Sequence, residues 1–261
     1  MIQQIQTLYR YRLLIHSLVS RELKARYRGN ILGFMWSFIN PLMLLLTYGL
    51  VFTYMLPGFR GPTIEPYFLF LFCGLLPWTW FSSSILESST VLIAGGNLIK
   101  KVLFPAEILP TVTVLANFVH FMLGMPILLA FLVWEGRLGL SALLLPIPLL
   151  VQMVMTLGLA LFFSALTVHF RDVKDLLSHL LNLWFFSTPV LYSYAGMEGP
   201  MRTALRLNPM THVLNAYHDL LFGNILRIRS GLAGSAIAAL ILLALGAFLF
   251  DRLRDTLAEE V

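Results

Sequence analysis

The chain has 261 residues, 58% of them hydrophobic and only 12% charged, with a mean hydropathy of +0.81. Soluble domains carry about a quarter charged residues, so this composition excludes a water-soluble fold and describes one compact membrane domain. The formal net charge of +5 does not signal nucleic-acid binding, because a third of the Lys and Arg crowd into one block from Arg10 to Arg28. The one cysteine, Cys73, excludes an intrachain disulfide and a two-cysteine metal site.

In chain order, residues 1–30 are expected to form a cytoplasmic helix lying in the membrane interface. At about 100° per residue, Leu8, Tyr11, Ile15, Leu18, Val19 and Leu23 share one sector, and Arg10, Arg21, Lys24 and Arg28 oppose them. Arg12 and Arg26 fall on the apolar face, where they either snorkel or meet a protein partner. Such a basic block suits anionic lipid headgroups or a cytoplasmic partner. A bare topology signal is the other reading of the same residues.

Six runs without Asp, Glu, Lys or Arg follow, within residues 31–59, 66–86, 108–134, 138–170, 176–197 and 230–250. Each is a candidate crossing, since a helix needs about 20 apolar residues to span a bilayer. Pro146 and Pro148 are expected to mark the start of the fourth, and Pro189 to bend or end the fifth. The first run starts too late and is too long for a cleavable signal peptide. The expected fold is therefore all-α and polytopic, with a six-span domain over residues 31–252 and a short cytoplasmic tail at 253–261. The basic residues orient it. Arg10, Arg12, Arg21, Lys24, Arg26, Arg28, Lys100, Lys101, Arg171, Lys174, Arg252 and Arg254 fall inside, against Arg60, Arg137, Arg202, Arg206, Arg227 and Arg229 outside. That excess places both termini in the cytoplasm.

Two connections stand out. Residues 87–107 are cytoplasmic in this arrangement yet rich in Leu, Ile, Val and Phe, which points to packing against lipid or another protein. Residues 198–229 form the longest external connection. Its NPMTHVLNAYHDLLFG stretch opens with Asn208-Pro209, where proline suits a first helical turn, and predicts a short re-entrant helix shielded by protein.

Clustered catalytic chemistry is absent. The histidines have no metal-ligand spacing such as H-E-x-x-H. Gly95-Gly96 precedes Lys100-Lys101 without the spacing or the Ser/Thr of a phosphate loop. If ATP powers this protein, another chain binds it. The spans carry few ions, which argues against an ion-coupled carrier. They do carry aromatics: Trp36, Tyr48 and Phe52 in the first, Trp78, Trp80 and Phe81 in the second, Trp184, Phe185 and Tyr192 in the fifth. These read either as interfacial belts or as the lining of a path suited to sugars, whose C–H faces stack on rings.

Four segments, in order, resemble the ABC-2 type permeases, particularly those exporting bacterial polysaccharides. They are ELKARYRGNILGFMWSFINPLMLLLTYGLVFTYM, NLIKKVLFPAEILP, HFRDVKDLLSHLLNLWFFSTPVLY and LNPMTHVLNAYHDLLFG. One departure is His218-Asp219 after Tyr217, where relatives often have Arg. The resemblance implies a six-span subunit, a homodimer around a central path, and two copies of a separate ATPase that binds ATP and Mg. It assigns ATPase coupling to Asn97, Leu98, Lys100, Lys101, Phe104 and Pro105, and to Arg171 and Asp172 of the FRD motif. Asn208, Pro209 and Tyr217 would belong to an extracellular gate. The implied substrates are lipid-linked O-antigen, capsular polysaccharide or teichoic acid, in the bacterial inner membrane. Drug and lipid exporters share the fold, and a membrane-embedded enzyme acting on a lipid-linked sugar is the alternative from another class.

Overall fold

In hydrocarbon a backbone must satisfy its own N–H and C=O groups, so long apolar runs become helices. The computed structural model describes residues 9–29, 31–55, 66–96, 105–193, 199–223, 225 and 230–260, and no strand occurs among them. The helices are α1 (Arg12–Tyr27), α2 (Trp36–Leu50), α3 (Tyr67–Ala94), α4 (Ile108–Trp134), α5 (Pro146–His169), α6 (Val173–Phe186), α7 (Gly199–Leu207), α8 (Pro209–Tyr217) and α9 (Ser230–Glu260).

Four stretches are long and apolar enough to cross a membrane: Tyr67–Ala94, Ile108–Trp134, Leu140–His169 and Ser230–Leu253, with mean hydropathies from 1.5 to 2.4. The third joins a 3-10 turn (Leu140–Leu144) to α5, which starts at Pro146 as the sequence predicts. A first crossing comes from α2 running directly into the π-helical turn Val51–Met55. The fifth run behaves differently. Helix α6 has 14 residues and rises only about 21 Å, short of the roughly 30 Å hydrocarbon core. It stops just before Pro189, whose predecessor is biased away from helix. The chain then continues without helix, with Thr188, Val190 and Leu191 buried and the Tyr67 hydroxyl donating to the Leu191 carbonyl at 2.8 Å. Irregular backbone is tolerated at membrane depth when protein encloses it in this way.

Two boundaries move relative to the sequence reading. The second span does not end near Leu86, because α3 continues to Ala94. Leu92 packs there with Leu109, Leu161, Val168 and Phe250, a tertiary cluster that extends the helix. The connection expected over residues 87–107 is correspondingly shorter, and its residues 97–104 lie outside the described ones. At the chain's end, most of the expected tail is a continuation of α9 to Glu260.

Helix α1 uses its apolar stripe on protein. Ile15 and Leu18 pack on Ile108 and Val112 of α4, with Tyr11, Val19 and Leu115 at the edge. Helices α5 and α9 make the closest approach in the bundle. A Cβ built on Gly246 would fall 2.1 Å from the Gly158 carbonyl oxygen, so only glycine fits the crossing. Small residues that let backbones meet are the usual device where lipid removes any hydrophobic drive between helices.

The expected re-entrant segment is a helical pair, α7 and α8, followed by a π-helical turn, His218–Phe222. Asn208 caps α8, its side-chain oxygen accepting from the Met210 N–H at 3.0 Å, and Pro209 opens the first turn. Met210, Thr211, Val213, Leu214 and Tyr217 are all buried, and Tyr217 reaches Phe121 in the middle of α4, with ring centroids 6.3 Å apart. The pair therefore dips into the bundle from the end opposite α1.

Candidate functional site

At the end that carries α1, the C-terminal turn of that helix leans on α3 and α4 and closes the floor of a chamber. The Arg26 guanidinium forms an ion pair with the Glu87 carboxylate and donates to Asn117 Oδ1 at 3.0 Å. Asn117 Nδ2 donates in turn to Glu87 Oε2 at 2.8 Å. Beside this triangle, Ser37 donates to the Tyr27 hydroxyl oxygen, and that hydroxyl meets His120 Nδ1 at 3.0 Å. Five elements' worth of polar groups are thus tied together where charges are costly, and a paired, hydrogen-bonded arrangement is the one that hydrocarbon surroundings allow.

Above the floor lies a cavity of about 1020 Å³ between α2, α3 and α4. Its walls include Trp36, Asn40, Met43, Thr47 and Tyr48 of α2, Leu76, Thr79, Trp80 and Ser83 of α3, and His120 and Phe121 of α4. Thr47 and Thr79 return their hydroxyl protons to backbone carbonyls one turn earlier, those of Met43 and Leu76. A second groove, of about 490 Å³ between α6 and α7, is apolar, with Leu180, Leu183, Trp184 and Met201 on its walls.

The aromatic residues expected to line a path divide into two groups. Trp36 and Tyr48 are half-buried and line the chamber, joined by the buried Trp80, whose indole N–H donates to the Val114 carbonyl at 3.3 Å. Phe52, Trp78, Phe81 and Phe185 are instead core residues. Trp78 lies 5.6 Å from Phe81 and 5.5 Å from Phe185, Phe185 lies 5.9 Å from Tyr48, and Phe81 lies 5.2 Å from Trp184 between ring centroids. That chain of rings fastens α2 and α3 to α6 and leaves Phe81, fully enclosed, no surface to offer a passing molecule. Tyr192 is half-buried and donates to the Phe186 carbonyl at 3.0 Å, closing the turn after α6.

Among the expected coupling residues, Asn97, Leu98, Lys100, Lys101 and Phe104 lie outside the described residues. Pro105 is buried, and its carbonyl accepts from the Ile108 N–H at 3.0 Å, so it begins the turn into α4. Arg171 and Asp172 are exposed on the turn between α5 and α6; Asp172 occupies the N-cap position of α6, but its side chain caps nothing. Of the expected gate residues, Asn208 is the hub. It accepts from the Trp184 indole N–H at 2.9 Å and donates to the Ser187 carbonyl at 3.0 Å and Thr188 Oγ1 at 2.9 Å. Tyr217 is buried inside the bundle.

Sequence reasoning overlooked Glu87, Asn117, His120 and Ser37 as one cluster. The signal was present: Glu87 is the only charged residue within α3, and an intramembrane ion is a functional candidate by default. It was read as a span boundary, which hid it.

Apolar helices packed round a polar chamber, with a re-entrant pair at the opposite end, define a polytopic membrane protein of the permease kind. The chain belongs to the ABC-2 type transporter family, whose description matches residues 14–222. It is 38% identical over 264 residues to the O-antigen export system permease protein RfbA of Myxococcus xanthus, covering 100% of both chains. It is 31% identical over 244 residues to the protein of that name from Klebsiella pneumoniae, covering 93% of this chain and 92% of the relative. The polysialic acid transport protein KpsM of Escherichia coli is 23% identical over 210 residues, with 77% and 78% covered.

Proposed function

We propose that this chain is the membrane subunit of an ATP-driven exporter that moves a lipid-linked polysaccharide across the bacterial inner membrane. The observation that carries the reading is the likeness, along the whole chain, to a protein named for O-antigen export. In this reading the α1 end faces the cytoplasm, following the excess of Lys and Arg there, and both termini are inside. Two copies of the chain enclose the path. Two copies of a separate ATPase hold ATP and Mg, and dock on the connection that contains Asn97, Leu98, Lys100, Lys101, Phe104 and Pro105, and on the exposed Arg171–Asp172 turn. The basic face of α1 meets anionic lipid headgroups. The α7–α8 pair, hinged at Asn208 and Pro209 and seated through Tyr217, serves as the outer gate. No bond of the glycan is made or broken in this chain.

The test is a deletion with complementation. A glycan-producing strain without this chain should keep its polymer inside, and the intact gene should restore surface polymer. Purified chain alone should hydrolyse no ATP, with activity appearing when the partner ATPase is added. Undiminished surface polymer in the deletion strain would overturn the export reading, and robust hydrolysis by the isolated chain would overturn the division of labour.

A further inference from the structure

The polar chamber lies in one half of the membrane. Glu87 is twenty residues along α3 from Tyr67 at the far end, or about 30 Å at 1.5 Å per residue, which is the thickness of the hydrocarbon core. The walls run back from Glu87 to Leu76, a depth of about 16 Å by the same rise. The chamber thus reaches from the α1-side boundary to about the middle of the bilayer. With α1 cytoplasmic, as the export reading has it, the chamber occupies the depth of the cytoplasmic leaflet.

Its hydrogen-bond inventory is uneven. On the floor, Arg26, Glu87, Asn117, Tyr27, His120 and Ser37 bond to one another. On the walls, the Asn40 amide, the Ser83 hydroxyl and the Tyr48 hydroxyl make no hydrogen bond to any described residue. Polar groups at this depth are costly unless something supplies partners. The floor also selects by charge. Arg26 is already neutralised by Glu87, so an anionic group entering the chamber would meet a carboxylate and no unpaired cation in its walls. A neutral, hydroxyl-rich group meets no such penalty. It could donate to and accept from Asn40, Ser83 and Tyr48, while its C–H faces lie on Trp36 and Tyr48. At about 1020 Å³ the cavity stands at the upper end of the roughly 300–1,000 Å³ range of ligand sites.

We infer that this chamber is a docking site for the glycosyl headgroup of a lipid in the cytoplasmic leaflet, and that it takes the lipid-proximal sugars of the exported glycan before they enter the path. The inference rests on the export reading and adds to it a place and a chemistry. Asn40, Ser83 and Tyr48 hold the sugar hydroxyls, Trp36 offers a stacking surface, and the Arg26–Glu87–Asn117 floor excludes free anions.

Site-specific photocrosslinking tests it in glycan-producing cells that carry the partner ATPase. A benzophenone amino acid replaces Met43, on the chamber wall, or Leu240, exposed on α9 away from it. Irradiation should yield a glycan-bearing adduct, visible as a periodate-stained ladder, from position 43 and not from position 240. The adduct should vanish when glycan synthesis is blocked. Asn40→Leu combined with Ser83→Val should lower the yield about tenfold, the scale of one or two lost hydrogen bonds. Capture of phospholipid alone at position 43 would show a resident bilayer lipid and overturn the inference, as would equal glycan capture at both positions. The two readings fail differently. Surface glycan that persists without this chain removes the export reading, whereas blocked export with no glycan adduct at position 43 removes this inference alone.

Discussion

Replacing Arg26 by alanine cuts the join between α1 and the spans. The substitution removes the ion pair to Glu87, the bond to Asn117 Oδ1 at 3.0 Å, and a 3.5 Å contact with Glu22. Exposed ion pairs contribute about 0–1 kcal/mol, while breaking a buried pair by removing one partner costs about 3–5 kcal/mol. The Arg26 and Glu87 side chains are 23% and 40% exposed, whereas Asn117 is 4% exposed and would keep an orphaned carbonyl oxygen. The cost therefore falls between those limits, at about 2 kcal/mol. For a chain of this size that corresponds to a melting temperature lower by about 4–8 °C. The assay is thermal unfolding of purified protein for Arg26→Ala, Glu87→Ala and the double variant. The double should cost less than the sum of the singles, because each single leaves the other ion without its partner. Charge reversal, Arg26→Glu with Glu87→Arg, should recover part of the loss, since the Asn117 amide offers a donor and an acceptor and serves either polarity by flipping. Singles that each lower melting by under about 1 °C, with an additive double, would refute the reasoning.

Gly158→Ala should abolish well-folded protein, because the added Cβ would sit 2.5 Å from the Leu243 backbone nitrogen and backbone cannot step aside; Gly234→Ala, which meets nothing within 4 Å, should match the parent by gel filtration and melting. Asn208→Ala should cost more than the roughly 1 kcal/mol of a lost helix cap, since Asn208 also bonds to Trp184, Ser187 and Thr188; a melting shift no larger than that of a simple cap variant would show that the hub is not cooperative. Cysteine placed at Lys100 should react with an impermeant thiol reagent only from the cytoplasm, and at Arg202 only from outside, against a silent background because Cys73 is fully buried. Phe104→Ala should weaken ATPase pull-down and export more than tenfold, the scale of a lost aromatic anchor at about 2 kcal/mol, while Lys101→Ala changes them only slightly.

The crossings were legible in the sequence because the bilayer is a simple solvent. It demands long apolar runs and punishes every unpaired backbone group, so run length and basic-residue placement carry the topology without reference to any partner. Local chemistry was equally readable at Asn208-Pro209, where cap and first-turn proline act within three residues, and at Pro146, which opens α5. The fifth crossing was legible only in part: Pro189 warned of an early stop, but the buried, non-helical finish through Leu191 depends on Tyr67, 124 residues away. Tertiary structure alone decided the rest. It lengthened α3 past Glu87 through contacts with α4, α5 and α9. It sorted the aromatics into a ring chain that fastens helices and a few that face a chamber. It paired Arg26 with Glu87 and Asn117, 61 and 91 residues distant in sequence. No periodicity announces such a pairing, because each member reads locally as an interruption of an apolar run; only the packing of α1 against α3 and α4 brings the three side chains within hydrogen-bonding distance, where each compensates the desolvation of the others.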